Sequence, residues 1–330
     1  MTTATDSRLA DSPADGTTGP ARVARFATGV LAYTLFVILF GAVVRITGSG
    51  AGCGQHWPTC QGELVHLPKT VETLIELSHR LTSGLSAVLV GVLVFLSFRT
   101  FRAGHPVRVA ATASGALMVT ESAVGAALVL LRLVGHNTSV ARAVVMAVHL
   151  VNTSFLMGAI LLTAVLARGE RAPTFDVRRP SVGRVVLALA GTLVVSITGA
   201  ITALGDTLYP VETTRSLALR LAADQSATAT FLERGRAVHP LVAFTVAVLV
   251  FSSVHRIRTD VRVASVTRAT GRVLVVLGVQ LAAGVLNVLL SAPGYVQVLH
   301  LGIATALWLS LVLLAAEVAR VRNAEPVASK

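Results

Sequence analysis

Eight apolar stretches dominate this chain, at roughly 26–46, 74–98, 107–131, 144–167, 182–204, 238–254, 273–290 and 296–318. Each is long enough, or nearly so, to cross a hydrocarbon core of about 30 Å at about 1.5 Å of helical rise per residue. The expected fold class is therefore all-α: a polytopic membrane protein with eight transmembrane helices. Composition agrees, since 54% of the 330 residues are hydrophobic, only 13% are charged and the mean hydropathy is +0.75. A water-soluble domain of this length rarely shows such values. Residues 1–25 lack an apolar run and are rich in small polar residues up to about position 21, which predicts a disordered tail rather than a cleavable signal peptide.

The net charge of +12 and pI near 11.3 would suit a nucleic-acid binder if the chain were polar and its basic residues lay among aromatics, but aromatics are only 5%. The distribution of the positive charge points elsewhere. With the N-terminus inside, nineteen of the 28 Lys and Arg fall in the tails and inner loops. The positive-inside rule then places both termini in the cytoplasm, and the expected partner surface is membrane lipid, not nucleic acid. The outer side carries loops at 47–73, 132–143 and 205–237 and a tight Pro293-Gly294 turn. Two cysteines in the whole chain exclude a disulfide-rich scaffold and a Cys-based iron–sulfur or zinc site.

The stretches repeat. His79 and His239 are 160 residues apart, Glu121-x-x-x-Gly125 and Gln280-x-x-x-Gly284 are 159 apart, and Gly41-Ala42 and Gly199-Ala200 are 158 apart. His149 and His300 differ by 151, consistent with a shorter loop before the last helix. The pattern predicts two tandem four-helix bundles running in the same direction, 26–167 and 182–320, joined by a cytoplasmic linker at 168–181 and followed by a tail at 321–330.

His79, His149, His239 and His300 each stand near the start of an even-numbered stretch, so all four lie at similar depth toward the outer leaflet. In an up-down-up-down bundle the second and fourth helices occupy a diagonal and face one central space. Two neutral imidazoles across such a space are natural axial ligands for a haem iron, so one pair in each half implies two haem sites. Intramembrane polar groups are costly and tend to be functional, which favours this over four helix-to-helix hydrogen bonds. His56, His66, His105, His136 and His255 fall in loops and read as surface residues.

The halves are not equivalent. Glu76 lies three residues before His79 and shares its helix face, whereas the matching position holds Arg236. Beside a haem pocket a carboxylate can move protons or stabilise a developing cation, which assigns chemistry to the first half. Glu121 is an acid in mid-helix where the repeat has Gln280; it is either functional or a protonated, hydrogen-bonded group. Arg45 and Arg80 either pair with haem propionates or snorkel to the interface. Cys53 and Cys60, in an outer loop where disulfides persist, bracket a short segment that closes either as a staple or as a redox-active pair.

From Gly48-Ser-Gly-Ala-Gly-Cys53 through Trp57-Pro58-Thr59-Cys60-Gln61-Gly62 to Glu76-Leu-Ser-His79-Arg80, the sequence resembles the first outer loop and second helix of bacterial haem A synthase, a family shared with mitochondria. The resemblance extends over about residues 26–318 and covers the four histidines in order. It implies oxidation of a ring methyl of haem O to the formyl of haem A through successive hydroxylations with loss of water, in the service of cytochrome oxidase assembly. His79 and His149 would bind the substrate haem, His239 and His300 would hold haem b, Glu76 would match the family's essential carboxylate, and Cys53 and Cys60 its loop disulfide. Electrons would reach the substrate through the haem b half from an unidentified donor, and Glu76 would manage protons or stabilise a carbocation-like centre at the methyl carbon. The farnesyltransferase that makes haem O is the implied delivery partner, and a homo-oligomer is compatible with the pattern. The resemblance is incomplete, because some members carry another cysteine pair in the third outer loop and residues 205–237 have none.

The rival to an enzyme is a di-haem b-type electron-transfer cytochrome, which explains four histidines but not a carboxylate confined to one half. A transporter is disfavoured, because the halves share one orientation and no stretch is broken by Gly or Pro.

Overall fold

The computed structural model describes residues 19–169, 172–210 and 216–321. Arg8, Arg171, Arg322 and Lys330, four of the nineteen basic residues assigned to the tails and inner loops, lie outside them. Among the described residues nine α-helices follow in order: α1 (Gly19–Ile46), α2 (Val71–Thr100), α3 (Pro106–Leu130), α4 (Val140–Leu166), α5 (Pro180–Leu208), α6 (Leu217–Asp224), α7 (Phe231–Asp260), α8 (Ala264–Leu289) and α9 (Gly294–Arg320). All but α6 are long and apolar enough to span a bilayer, and the chain is a multi-pass membrane protein.

The helix starts follow local chemistry. Thr70, Ser139, Ser216 and Thr230 each accept the backbone N–H three residues on, and Thr230 with Glu233 closes a reciprocal capping box. Several helices run past the apolar stretches. α1 begins at Gly19, so residues 19–25, expected in the tail, are helical, and α7 and α8 extend well beyond 238–254 and 273–290. The added turns hold charged residues such as Glu233, Arg256 and Arg268, which lower hydropathy without breaking a helix. Pro240, expected near a helix start, consequently lies inside α7, which continues through it. The expected 205–237 loop is mostly helical, as the end of α5, the whole of α6 and the start of α7.

In the first half α1 packs on α2, α2 on α3, α3 on α4 and α4 on α1, which sets α2 and α4 on a diagonal. In the second half α5, α7, α8 and α9 have the same neighbour order, with α7 and α9 on a diagonal. Each half has its own apolar core. Val30, Val90, Leu93, Leu156 and Ile160 belong to the first, and Val185, Val254, Val273, Leu311 and Leu314 to the second. Phe36, Val88, Phe95, Leu241 and Phe244 point outward and stay exposed, as lipid-facing residues do. The halves meet through α4 on α5 and through α1 and α4 on α9, where the Trp308 indole donates to the Ser154 carbonyl at 2.6 Å.

Candidate haem-binding sites

The four histidines sit at comparable places: His79 in α2, His149 in α4, His239 in α7 and His300 in α9, each within the first ten residues of its helix. All four are half-buried. α2 and α4, which carry His79 and His149, lie on one diagonal, and α7 and α9, which carry His239 and His300, lie on the other. The diagonal helices thus bring together the pairs expected from the sequence.

Glycines pack closely against three of the four rings. A Cβ on Gly41 of α1 would stand 3.1 Å from Cε1 of His79, and one on Gly199 of α5 would stand 3.1 Å from Cε1 of His239. Only a glycine lets each neighbouring backbone approach the ring edge this closely. Gly284 of α8 does the same for His300, at 3.3 Å. The recurrence of Gly41 and Gly199 near the histidine offset carried this signal in the sequence, where it served only to align the repeat.

The ring nitrogens are sparsely satisfied. Nδ1 of His79, His149 and His300 is buried with no hydrogen-bond partner, against the rule that buried polar atoms are paired. Nδ1 of His239 meets the Thr198 hydroxyl at 3.0 Å, and Nε2 of His300 meets Gln280 at 3.1 Å. Among the described residues none bonds Nε2 of His79, His149 or His239. Nor do these residues contain a group of three or more His, Cys, Asp or Glu suited to a bare metal ion. Paired imidazoles with uncommitted nitrogens, beside ring edges cleared by glycine, fit a haem iron with two axial histidines.

The end of the first half at which α2 begins is closed by the loop before α2. Cys53 and Cys60 form a disulfide and both are buried, at 0% and 1% exposure. Glu76, 3% exposed, accepts the Cys53 N–H on Oε2 at 2.7 Å and the Arg80 Nε–H on Oε1 at 3.1 Å. Arg80 also donates to the carbonyl of Thr59 at 2.6 Å and to that of His56. Glu76 and Arg80 therefore tie the disulfide loop to the helix turn that carries His79.

The second half closes with the opposite charge. Arg236, three residues before His239, donates to Asp206 and Asp224, each at 2.8 Å, and to the carbonyls of Gly205 and Tyr209. One guanidinium so gathers the end of α5, the end of α6 and the start of α7. The sequence showed Arg236 only as a missing carboxylate, and the partners that make it a clasp are distant in the chain.

Arg45 lies at the seam between the halves. It donates to the Ala203 carbonyl and the Thr207 hydroxyl of α5, and to Gln297 of α9 at 2.9 Å. Glu121, on α3, accepts from Asn152 at 2.6 Å and from the Thr153 hydroxyl, and its Oε1 is 3.4 Å from Nδ1 of His149. Arg142, not singled out in the sequence, is 6% exposed and holds the 132–139 loop through the carbonyls of Gly135 and Asn137.

Residues 24–312 match the model of a family described as cytochrome oxidase assembly protein. Two curated relatives, from two strains of Thermus thermophilus and both named protoheme IX farnesyltransferase, are 45% identical over 298 residues. That alignment covers 89% of this chain and 48% of theirs, so the chain spans about half the length of these relatives. A protein named haem A synthase from Bacillus cereus is 45% identical over 95 residues, 29% of this chain and 30% of that protein.

Proposed function

The chain belongs to the haem A synthase family of cytochrome oxidase assembly proteins, and from that premise we propose that it oxidises a ring methyl group of haem O to the formyl group of haem A. The observation that carries this reading is the placement of His79 with His149 and of His239 with His300 on diagonal helices, with a buried carboxylate, Glu76, three residues before His79 where the second half has Arg236 before His239. A di-haem electron carrier would have no use for that asymmetry. The two halves are read as copies of one four-helix unit, supported by their shared neighbour order and matching glycine–histidine contacts.

His79 and His149 would hold the substrate haem. His239 and His300 would hold haem b, which when bound supplies one-electron transfer. Glu76 is the proton-handling group of the first half. Its Oε1 is engaged by Arg80, whereas Oε2 carries only the Cys53 N–H and keeps a lone pair for a proton or a substrate water. Arg80 keeps the carboxylate balanced when that proton leaves, and the buried Cys53–Cys60 loop covers this end of the half. We place the chain in the plasma membrane with both termini cytoplasmic, the histidine pairs lying toward the outer leaflet. The Thermus relatives, named as farnesyltransferases and about twice as long, support a haem O-making farnesyltransferase as the partner that supplies substrate.

Haem extraction tests the reading. Membranes expressing the chain together with a haem O-forming farnesyltransferase should contain haem A, and membranes lacking the farnesyltransferase should contain only haem b. Haem O that accumulates without haem A in the first case rejects the proposal.

A further inference from the structure

His149 and His300 occupy matching helices but face different neighbours. Glu121 holds Oε1 3.4 Å from Nδ1 of His149, too long for a formed hydrogen bond and about half an ångström from one. Gln280 at the matching place on α8 meets the other ring nitrogen, Nε2 of His300, at 3.1 Å, which leaves Nδ1 of His300 buried without an acceptor.

The Glu121 carboxyl is held in place from α4. Asn152 Nδ2 gives one hydrogen to Glu121 Oε2 at 2.6 Å and the other to the Leu117 carbonyl at 2.9 Å. The Asn152 amide oxygen lies 2.6 Å from the Thr120 hydroxyl, which fixes which end of the amide faces Glu121. The Thr153 hydroxyl, one turn after His149, meets Glu121 Oε1. Nδ1 of His149 is buried and has no other group to bond.

We infer that Glu121 is a positioning residue for His149. Its Oε1 takes the Nδ1 hydrogen, leaves Nε2 for iron and makes His149 a more basic ligand than His300. A ligating imidazole that donates to a carboxylate is oriented by it and gains basicity, which favours the oxidised metal. The haem of the first half would then have the lower reduction potential of the two, because Nδ1 of His149 has a carboxylate beside it and Nδ1 of His300 has no acceptor. This inference rests on the haem-binding reading above.

The test is a spectroelectrochemical titration of the purified full chain, produced with a haem O-forming farnesyltransferase so that both sites load. In Glu121→Gln one of the two haem components should shift to higher potential while the other stays put. Two unmoved components in Glu121→Gln, or both moving together, overturn the inference. If Glu121→Gln loads poorly, Glu121→Asp keeps the acceptor; loading with wild-type potentials supports the role, and a shift matching that of an alanine variant overturns it. Should His79→Ala and His149→Ala leave the wild-type spectrum untouched, the haem assignment itself fails and the inference falls with its premise.

Discussion

Glu76 Oε2 accepts the backbone N–H of Cys53 at 2.7 Å, so the helix turn that carries His79 also anchors the disulfide loop. The carboxylate is buried, and its other oxygen is bound to an Arg80 whose remaining donors hold the same loop. Placement of the loop and the proton chemistry assigned to the first half thus share one residue.

Two variants separate these roles. Glu76→Gln should keep both haems yet accumulate haem O or a hydroxylated intermediate. Arg80→Met breaks the loop anchor and leaves the Glu76 carboxyl, and should lose less haem A output than Glu76→Gln. Haem composition of membranes from the two variants measures the difference. Equal losses would assign Glu76 to anchoring alone.

The Cys53–Cys60 pair is buried on both sides, which shields it from thiol reagents and favours the staple over the redox-active reading. Reductant applied to the folded protein should therefore leave haem A output unchanged. Cys53→Ala should cost the loop about 2 kcal/mol of local stability on the chain-entropy scale. Faster amide hydrogen exchange across residues 52–63, with α2 beyond His79 unchanged, is the expected reading.

Hydropathy made the eight spans legible, and with them the place of each of the four histidines near the start of its helix, because the bilayer imposes a length and a composition on each helix. It was blind to the polar ends, where Thr230 with Glu233 starts α7 well before its apolar run, and to α6, too short to register. Pair interactions were hidden for another reason. Arg45 at the seam and Arg236 in its clasp each find partners more than ten residues away, a distance no periodicity encodes.

Arg236 neutralises two carboxylates whose side chains are 8% and 10% exposed. Its loss leaves both buried without their partner, and breaking a buried pair costs about 3–5 kcal/mol. Arg236→Met should lower the thermal midpoint clearly, and adding Asp206→Asn and Asp224→Asn should restore part of the loss. Arg236→Lys should fall between, since an ammonium lacks the fork that reaches Asp206, Asp224 and two carbonyls together. Thermal unfolding in detergent, followed by haem absorbance, orders the four proteins.

The glycine contacts give the most selective expectation. Gly199 faces His239 and Gly41 faces His79, each with 3.1 Å between a would-be Cβ and the ring. A leucine at either place must push the imidazole aside or part the two helices, and both outcomes spoil an axial ligand. Because the rings belong to different halves, Gly199→Leu should remove the haem b spectrum and spare the substrate site, while Gly41→Leu should do the reverse. Gly91→Leu is the control, since nothing lies within 4 Å of its would-be Cβ, and it should keep both haems. Haem-to-protein stoichiometry should therefore fall by about half in each of the two variants, with different residual spectra. Identical residual spectra would mean that the histidine pairs do not define separate sites.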